Sequence, residues 1–132
     1  MENKDIRWKQ RFQNFEKSLQ YLEQAVNISD PDIIQKAGII QFFEMSFELA
    51  WNVLKDYLEA QGFLDVRSPR SALKKAFETG LIQDGHGWMR LLDDRNLTTH
   101  AYDEVTVNLI ERLIHEKYYP LFKELYDNLR NR

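Results

Sequence analysis

Hydrophobic residues recur at helical spacing in five segments of the chain, and no segment shows the alternation of a β-strand. In the first segment, apolar positions are separated by alternating intervals of four and three residues, which places them on one helical face. These positions are Trp8, Phe12, Phe15, Leu19, Leu22 and Val26. The pattern predicts a first helix that ends before the sequence Ser-Asp-Pro-Asp at 29–32. We expect Ser29 or Asp30 to cap the next helix and Pro31 to lie in its first turn.

The second helical segment carries two apolar stripes instead of one. The first stripe is Ile40, Phe43, Phe47, Trp51, Leu54 and Leu58, and the second is Ile39, Phe42, Ser46, Leu49 and Val53. A helix that is apolar around much of its circumference is either central in a bundle or part of an oligomer interface. Gly62 follows the segment and is the expected left-handed residue at its end.

Two shorter helices are predicted next. The third begins at Ser68-Pro69 and stops at Gly80, with four residues inward: Ala72, Leu73, Ala76 and Phe77. A loop follows over residues 84–87, where His86 between two glycines is interpreted as a turn residue. The fourth helix places four residues on one face: Trp88, Leu91, Leu92 and Arg95.

Asp103 is expected to cap the last helix, and Pro120 is expected to kink it. Its apolar stripe is Val107, Ile110, Ile114, Tyr118, Leu121, Leu125 and Leu129. The three tryptophans, Trp8, Trp51 and Trp88, all lie on apolar stripes and are expected in the core. The sequence therefore predicts an all-α fold, an antiparallel up-and-down bundle of about five helices, three of them long.

Composition restricts this picture to one compact domain over residues 1–132, since a chain with five Gly and three Pro has little material for linkers. The absence of cysteine excludes disulfides and thiolate metal sites. The charged start of the chain lacks a signal peptide's apolar core, and no segment is apolar enough to span a membrane, so a cytoplasmic location is expected. Because the net charge is −3, any role in nucleic-acid binding must depend on a local site.

Candidate chemistry is concentrated in a polar run at residues 93–104, which contains Arg95, His100 and Tyr102. The run begins at the C-terminal end of the fourth helix, so it is expected at a helix boundary. This run resembles the Arg-x4-His signature of HEPN domains, and specifically the Arg-x4-His-x-Tyr version found in partners of minimal nucleotidyltransferases. Residues 43–58 and 118–126 are similar to the second and last helices of the family known as nucleotidyltransferase substrate-binding proteins. The resemblance extends in order over nearly the whole chain.

The resemblance implies a homodimer whose shared cleft cuts RNA without a metal or other cofactor. Arg95 and Asn96 would stabilise the phosphate, and His100 would take the proton of a ribose 2′-hydroxyl, which leaves a cyclic phosphate. In toxin-antitoxin pairs of this type, the partner nucleotidyltransferase is thought to silence the RNase by transferring AMP to the matching tyrosine, here Tyr102.

Helix geometry adds a constraint on Arg95 and His100. At roughly 100° per residue, side chains five positions apart on a straight helix point about 140° away from each other. Either the helix breaks between them, which Thr98 and Thr99 would ease, or one cleft takes its groups from two chains.

Ordinary structural roles are also open for these residues. Arg95 could form a surface ion pair with a neighbouring aspartate, His100 could be a boundary histidine, and Tyr102 could pack its ring in the core. Four further polar residues are candidates to face the cleft or the partner: Glu44, Ser46, Glu48 and Asp94. Glu44 and Glu48 lie one turn apart, but no metal is expected because the chain has no Glu-x-x-His pair.

Two alternatives to ribonuclease activity follow from the same residues. In the first, the bundle is a non-catalytic substrate-binding or docking subunit of a two-chain nucleotidyltransferase. In the second, it is a plain interaction bundle with an inactive motif, which the acidic net charge favours slightly. The chain is not itself the nucleotidyltransferase, because no Gly-Ser turn precedes a metal-binding Asp-x-Asp.

Overall fold

The computed structural model describes residues 2–100 and 102–132, so Met1 and Ala101 lie outside the described residues. The elements are α1 (Glu2–Val26), α2 (Ile33–Ala60), α3 (Pro69–Glu78), α4 (Gly85–Asp94), a 3₁₀ turn (Arg95–His100), α5 (Glu104–Leu113), a π turn (Ile114–Tyr118) and α6 (Tyr119–Leu129). The last three are contiguous and form one long rod over residues 104–129. The described residues thus make five helical rods, three of them long, and the predicted all-α class is confirmed.

The helices α1 and α2 pack against each other in opposite directions. Near the start of α1, the ring of Trp8 meets that of Tyr57 near the end of α2, edge to face, with centroids 5.0 Å apart. Further along, Ser18 of α1 lies against Ser46 of α2. The early part of one helix therefore pairs with the late part of the other, as in an up-and-down bundle.

The helix α6 also runs antiparallel to α1. The ring of Tyr126 stacks on Phe12 at a centroid distance of 5.3 Å, while the Tyr119 hydroxyl donates a 3.1 Å hydrogen bond to Glu23. All seven residues of the predicted last stripe are buried. No helix of the described residues carries an apolar run long enough to cross a bilayer.

Aromatic side chains fill the centre of the bundle between α1, α2, α4 and α6. Phe122 of α6 touches rings from all three other helices, at centroid distances of 6.3 Å to Phe15, 5.9 Å to Phe43 and 5.7 Å to Trp88. Each of these four side chains is almost completely excluded from water. Burying one such ring contributes about 1.5–3 kcal/mol, so this cluster fixes where α4 lies.

The start of α2 differs from the prediction by two or three residues. Asp32 is the capping residue, and its carboxylate accepts a 2.8 Å hydrogen bond from the backbone N–H of Gln35, whose side chain accepts the N–H of Asp32 in return. Asp30 has a φ of 50° and forms the turn before the helix. The assignment of Ser29 or Asp30 as the cap, with Pro31 inside the first turn, is therefore wrong. The reciprocal capping box explains the difference, since Gln35 lies three residues after Asp32.

The predicted glycine stops are confirmed at both positions. Gly62 and Gly80 have φ values of 102° and 81°, a region that residues with a Cβ rarely adopt. After Gly62, the N–H of Phe63 donates to the carbonyl of Leu58 at 3.0 Å, which closes the end of α2.

Three predictions about the short helices and the core are wrong. Phe77 is 52% exposed, because its ring lies over the backbone of Gly85 at the surface between α3 and α4. His86 is in the first turn of α4 and not in a loop, since Asp84 caps the helix by accepting the Gly87 N–H. Trp51 is only partly buried.

Pro120 interrupts the regular hydrogen bonding of the last rod. The N–H of Tyr119 donates to the carbonyl of Ile114, five residues back, and Pro120 then lies in the first turn of α6. A proline has no N–H and crowds the carbonyl four residues earlier, so a wider turn accommodates it. The rod thus forms a π turn just before Pro120, and the expected kink in the helix axis stays a prediction.

Ser46 faces neither a cleft nor a partner, which corrects its assignment from the sequence. Its side chain is completely buried, and its hydroxyl lies 2.8 Å from that of Ser18. Each serine is the hydrogen-bond partner of the other inside an otherwise apolar contact between α1 and α2.

Ser46→Ala should destabilise the fold by about 1–3 kcal/mol, because it leaves the buried Ser18 hydroxyl without its partner. Urea unfolding measures the change. The double variant Ser18→Ala/Ser46→Ala should lose less free energy of unfolding than the sum of the losses of the two single variants. The control Ser29→Ala, in the exposed loop, should leave the free energy of unfolding unchanged. Additive losses would show that the two hydroxyls do not depend on each other.

Candidate functional site

The candidate run lies at a helix boundary, as predicted. At Arg95 the backbone of α4 tightens into a 3₁₀ turn that ends at His100. The Thr98 hydroxyl donates to the carbonyl of Arg95 at 2.7 Å, and the Thr99 hydroxyl donates to that of Asn96 at 2.9 Å. Hydroxyl groups that bond to the backbone in this way compete with regular α-helical hydrogen bonding. The two threonines thus stabilise the change of helix type.

The Arg95 side chain is held against α2. Its Nη1 lies 3.2 Å from a carboxylate oxygen of Glu48, and its guanidinium carbon lies 5.3 Å from the centroid of the Phe47 ring. The side chain remains 31% exposed. An exposed ion pair contributes at most about 1 kcal/mol, so the contacts orient Arg95 more than they stabilise the fold.

Glu48 is itself oriented by two neighbours on α2. Its second carboxylate oxygen accepts a 3.0 Å hydrogen bond from the Trp51 indole N–H, and its backbone carbonyl accepts from the Asn52 amide at 2.7 Å. Trp51 therefore uses its polar edge at the surface while its ring packs on the core. This hydrogen bond explains why Trp51 is not fully buried.

Glu44, which is partly buried, lies one turn before the exposed Glu48 on the same side of α2. Both line a shallow surface depression, together with Gln41, Met45 and Leu49. The depression includes Glu48, the residue that pairs with Arg95, and the orientation of the two glutamates toward a cleft or a partner stays a prediction.

Asp94 points toward the bundle and anchors the end of α4. It accepts a hydrogen bond from the hydroxyl of Tyr118, whose ring stacks on Phe43 in the core. Burial raises the pKa of Tyr118 well above its usual value, and the hydrogen bond to Asp94 raises it further. The phenol thus stays protonated and keeps donating to Asp94, which is half-buried.

The remaining residues of the run face solvent. Asn96 and His100 are exposed, and Tyr102 is 85% exposed. The rings of His100 and Tyr102 meet edge to face, with centroids 6.1 Å apart. The interpretation of Tyr102 as a core ring is therefore excluded.

One chain does not bring Arg95 and His100 together. A 3₁₀ helix turns about 120° per residue, so side chains five positions apart still point about 120° away from each other. Within the described residues, Arg95 contacts Glu48 and Phe47 on α2, while the ring contact of His100 is with Tyr102. The change of helix type is therefore not sufficient to bring the two groups into contact.

No three His, Asp or Glu side chains among the described residues converge in a way that could hold a metal ion. His115 and Glu111 approach to 3.5 Å on α5 and the π turn, as an ordinary pair four residues apart.

Sequence reasoning missed three residues that shape this site: Phe47, Trp51 and Tyr118. The first two were assigned only to the apolar stripe of α2, although they lie one and three residues from Glu48. Tyr118 was assigned only to the last stripe. A buried phenol usually has a hydrogen-bond partner, but nothing in the sequence indicates that the partner is Asp94, 24 residues earlier.

The chain is similar to a known family over most of its length. A family model described as "nucleotidyltransferase substrate binding protein like" matches residues 10–131. A Haemophilus influenzae relative named "Probable ribonuclease HepT" is 36% identical, and the match covers 63% of this chain and 67% of the relative.

Two solved structures share the fold. A Thermus thermophilus protein superposes with a TM-score of 0.81 at 32% identity, covering 88% of this chain and 98% of its own. A Haemophilus influenzae protein, described as revealing the fold of a substrate binding domain of a nucleotidyltransferase, gives a TM-score of 0.80 at 28% identity, with 90% and 98% covered.

Proposed function

Because the chain belongs to the family of nucleotidyltransferase substrate-binding-like proteins, we propose that it is a metal-independent endoribonuclease toxin, silenced by a minimal nucleotidyltransferase partner. One observation carries this proposal: a guanidinium oriented at the surface by α2 and an exposed imidazole lie at the two ends of one six-residue turn. The name of the Haemophilus influenzae relative supports the same activity.

The proposed reaction is transfer of a phosphoryl group within the RNA strand. His100 takes the proton of a ribose 2′-hydroxyl, whose oxygen attacks the adjacent phosphorus. The bond from phosphorus to the 5′-oxygen breaks, which leaves a 2′,3′-cyclic phosphate and a 5′-hydroxyl that receives a proton from water or imidazolium. Arg95 and Asn96 donate to the phosphate oxygens as negative charge develops on them.

In this proposal, a second subunit brings a guanidinium and an imidazole together in one cleft. Arg95 and His100 of one chain point apart, so each cleft takes Arg95 from one protomer and His100 from the other. A two-fold interface places the same patch of both subunits together and forms two equivalent clefts.

Substitution of the two catalytic residues tests the ribonuclease activity. Arg95→Ala and His100→Ala should each lower the rate of RNA cleavage by about 100-fold or more, and expression of the wild type alone should arrest growth. The matched controls are Arg90→Ala and His86→Ala, which remove the same side chains from exposed positions of α4. The proposal would be contradicted if expression of the wild type did not arrest growth, or if RNA cleavage survived both catalytic substitutions.

Mixing the two inactive variants tests the shared cleft. An equal mixture of Arg95→Ala and His100→Ala, dissociated and reassembled, should recover about a quarter of the wild-type rate, since half of the dimers are mixed and each has one intact cleft. No recovery, or a monomer by equilibrium sedimentation at micromolar concentration, would exclude it.

Tyr102 is the proposed acceptor of AMP. Its phenol oxygen would attack the α-phosphorus of ATP held by the transferase, with release of pyrophosphate and of the phenol proton. The exposure of Tyr102 supports this role, since the hydroxyl is accessible to another enzyme. A bulky anion beside His100 would block the cleft and compete for Arg95.

Coexpression with the cognate nucleotidyltransferase should add the mass of AMP to the wild type but not to Tyr102→Phe. Tyr21→Phe is the matched control, because Tyr21 is also exposed, on α1. Intact-protein mass spectrometry provides the measurement, and an unmodified wild type would count against modification at Tyr102.

A non-catalytic docking subunit is the second candidate function. The description of the solved Haemophilus influenzae structure favours it, as does the Glu48 carboxylate that already occupies Nη1 of Arg95. In that case the chain would bind the nucleotidyltransferase normally, but RNA cleavage would be absent.

A further inference from the structure

The outer face of α5 carries two exposed apolar side chains on one stripe. Val105 is 76% exposed and Leu109 is 42% exposed, four residues later. The opposite side of α5 places Val107 and Ile110 in the core. An ordinary surface helix has polar residues on its solvent side, whereas α5 has a second apolar stripe that the other helices of the bundle do not cover.

The position of α5 in the bundle is fixed, so this stripe cannot rotate inward. Lys36 of α2 donates a 2.8 Å hydrogen bond to Asn108 and lies 3.9 Å from Glu111. These contacts, with the two buried residues, hold the helix in place and leave Val105 and Leu109 outside.

Tyr102 is held away from the core at the start of the same helix. It precedes the capping residue Asp103, a position from which an apolar side chain often packs on the fourth helical residue, here Val107. Val107 is buried, yet Tyr102 is 85% exposed, so this contact is not made. The aromatic ring therefore adds to the exposed apolar surface.

We propose that Tyr102, Val105 and Leu109, here called the α5 outer face, form the docking surface for the nucleotidyltransferase subunit. The inference rests on the proposed modification of Tyr102. An enzyme whose active site encloses Tyr102 must cover its surroundings, and a stable protein interface takes about 800 Å² from each partner. Val105 follows Tyr102 by three residues, and Leu109 lies only about 6 Å further along the helix axis, so both fall inside that footprint.

The chemistry of this face fits a partner protein. Its centre is apolar and aromatic, while the charged residues Glu104 and Arg112 are exposed at its ends. An apolar centre within a polar rim is the usual arrangement of a protein interface. RNA is a poorer fit, because the negative charges of Asp103 and Glu104 offset the positive charge of Arg112 on this face.

The double variant Val105→Lys/Leu109→Lys tests the docking surface in the full chain, coexpressed with the cognate nucleotidyltransferase. We expect copurification to be lost and AMP transfer to Tyr102 to slow by about tenfold or more, because two charges replace the apolar centre. RNA cleavage by the variant without its partner should equal that of the wild type. The control is Ile6→Lys/Leu64→Lys, which changes two exposed apolar residues in α1 and in the loop after α2.

The outcomes separate this inference from the function on which it rests. If the double variant loses copurification but the wild type carries no AMP, the proposed docking surface is supported and the proposed modification of Tyr102 is contradicted. Normal binding and modification of the variant would overturn the docking surface alone. Conversion of the variant from dimer to monomer would overturn it too, since a second copy of the chain would then cover this face.

Discussion

The helix α2 has apolar side chains on so much of its circumference that the other long helices must enclose it. Its Phe43 and Phe47 are almost completely buried, and α1 and α6 pack on it while α4 closes the aromatic cluster. Removing such rings from water is the largest favourable contribution available to a bundle of this size. The positions of α4 and of the turn after it follow from this requirement.

The burial of α2 also determines the character of the candidate site. The residue after the buried Phe47 is Glu48, which is exposed and faces the turn where Arg95 begins. The core therefore orients the arginine through a ring beneath it and a carboxylate beside it. His100, at the far end of the same turn, has no comparable support from α2. Arg95, one member of the candidate catalytic pair, is therefore oriented by its own chain. In the proposed mechanism, His100 of a second subunit completes the cleft.

The two proposed surfaces are close together but use different properties of the chain. The proposed cleft depends on polar groups of the 3₁₀ turn, whereas the proposed docking depends on an apolar stripe of α5, the next helix along the chain. Tyr102 lies between them and belongs to both. In the proposed mechanism, a partner that binds α5 therefore reaches the residue whose modification would close the cleft, which would link recognition to regulation.

Local interactions were sufficient to predict much of this protein from its sequence. Apolar periodicity, the Asp103 cap and the left-handed glycines Gly62 and Gly80 all act within a few residues, so the helices and the boundary at Arg95 could be assigned without knowledge of the fold. The failures were of two kinds. The start of α2 was misassigned because several adjacent residues can cap a helix, and only the reciprocal pairing of Asp32 with Gln35 distinguishes them.

The other failures concern contacts between residues far apart in the chain. Periodicity placed Ser46 on α2 but not Ser18 opposite it, and it placed Tyr118 in the core but not Asp94 within reach of its hydroxyl. The pairing of Glu48 with Arg95 likewise spans 47 residues. Sequence alone therefore determined which helices form and where the motif begins. Only tertiary packing decided which faces meet, because the partner of a side chain depends on how the rods are rotated against one another.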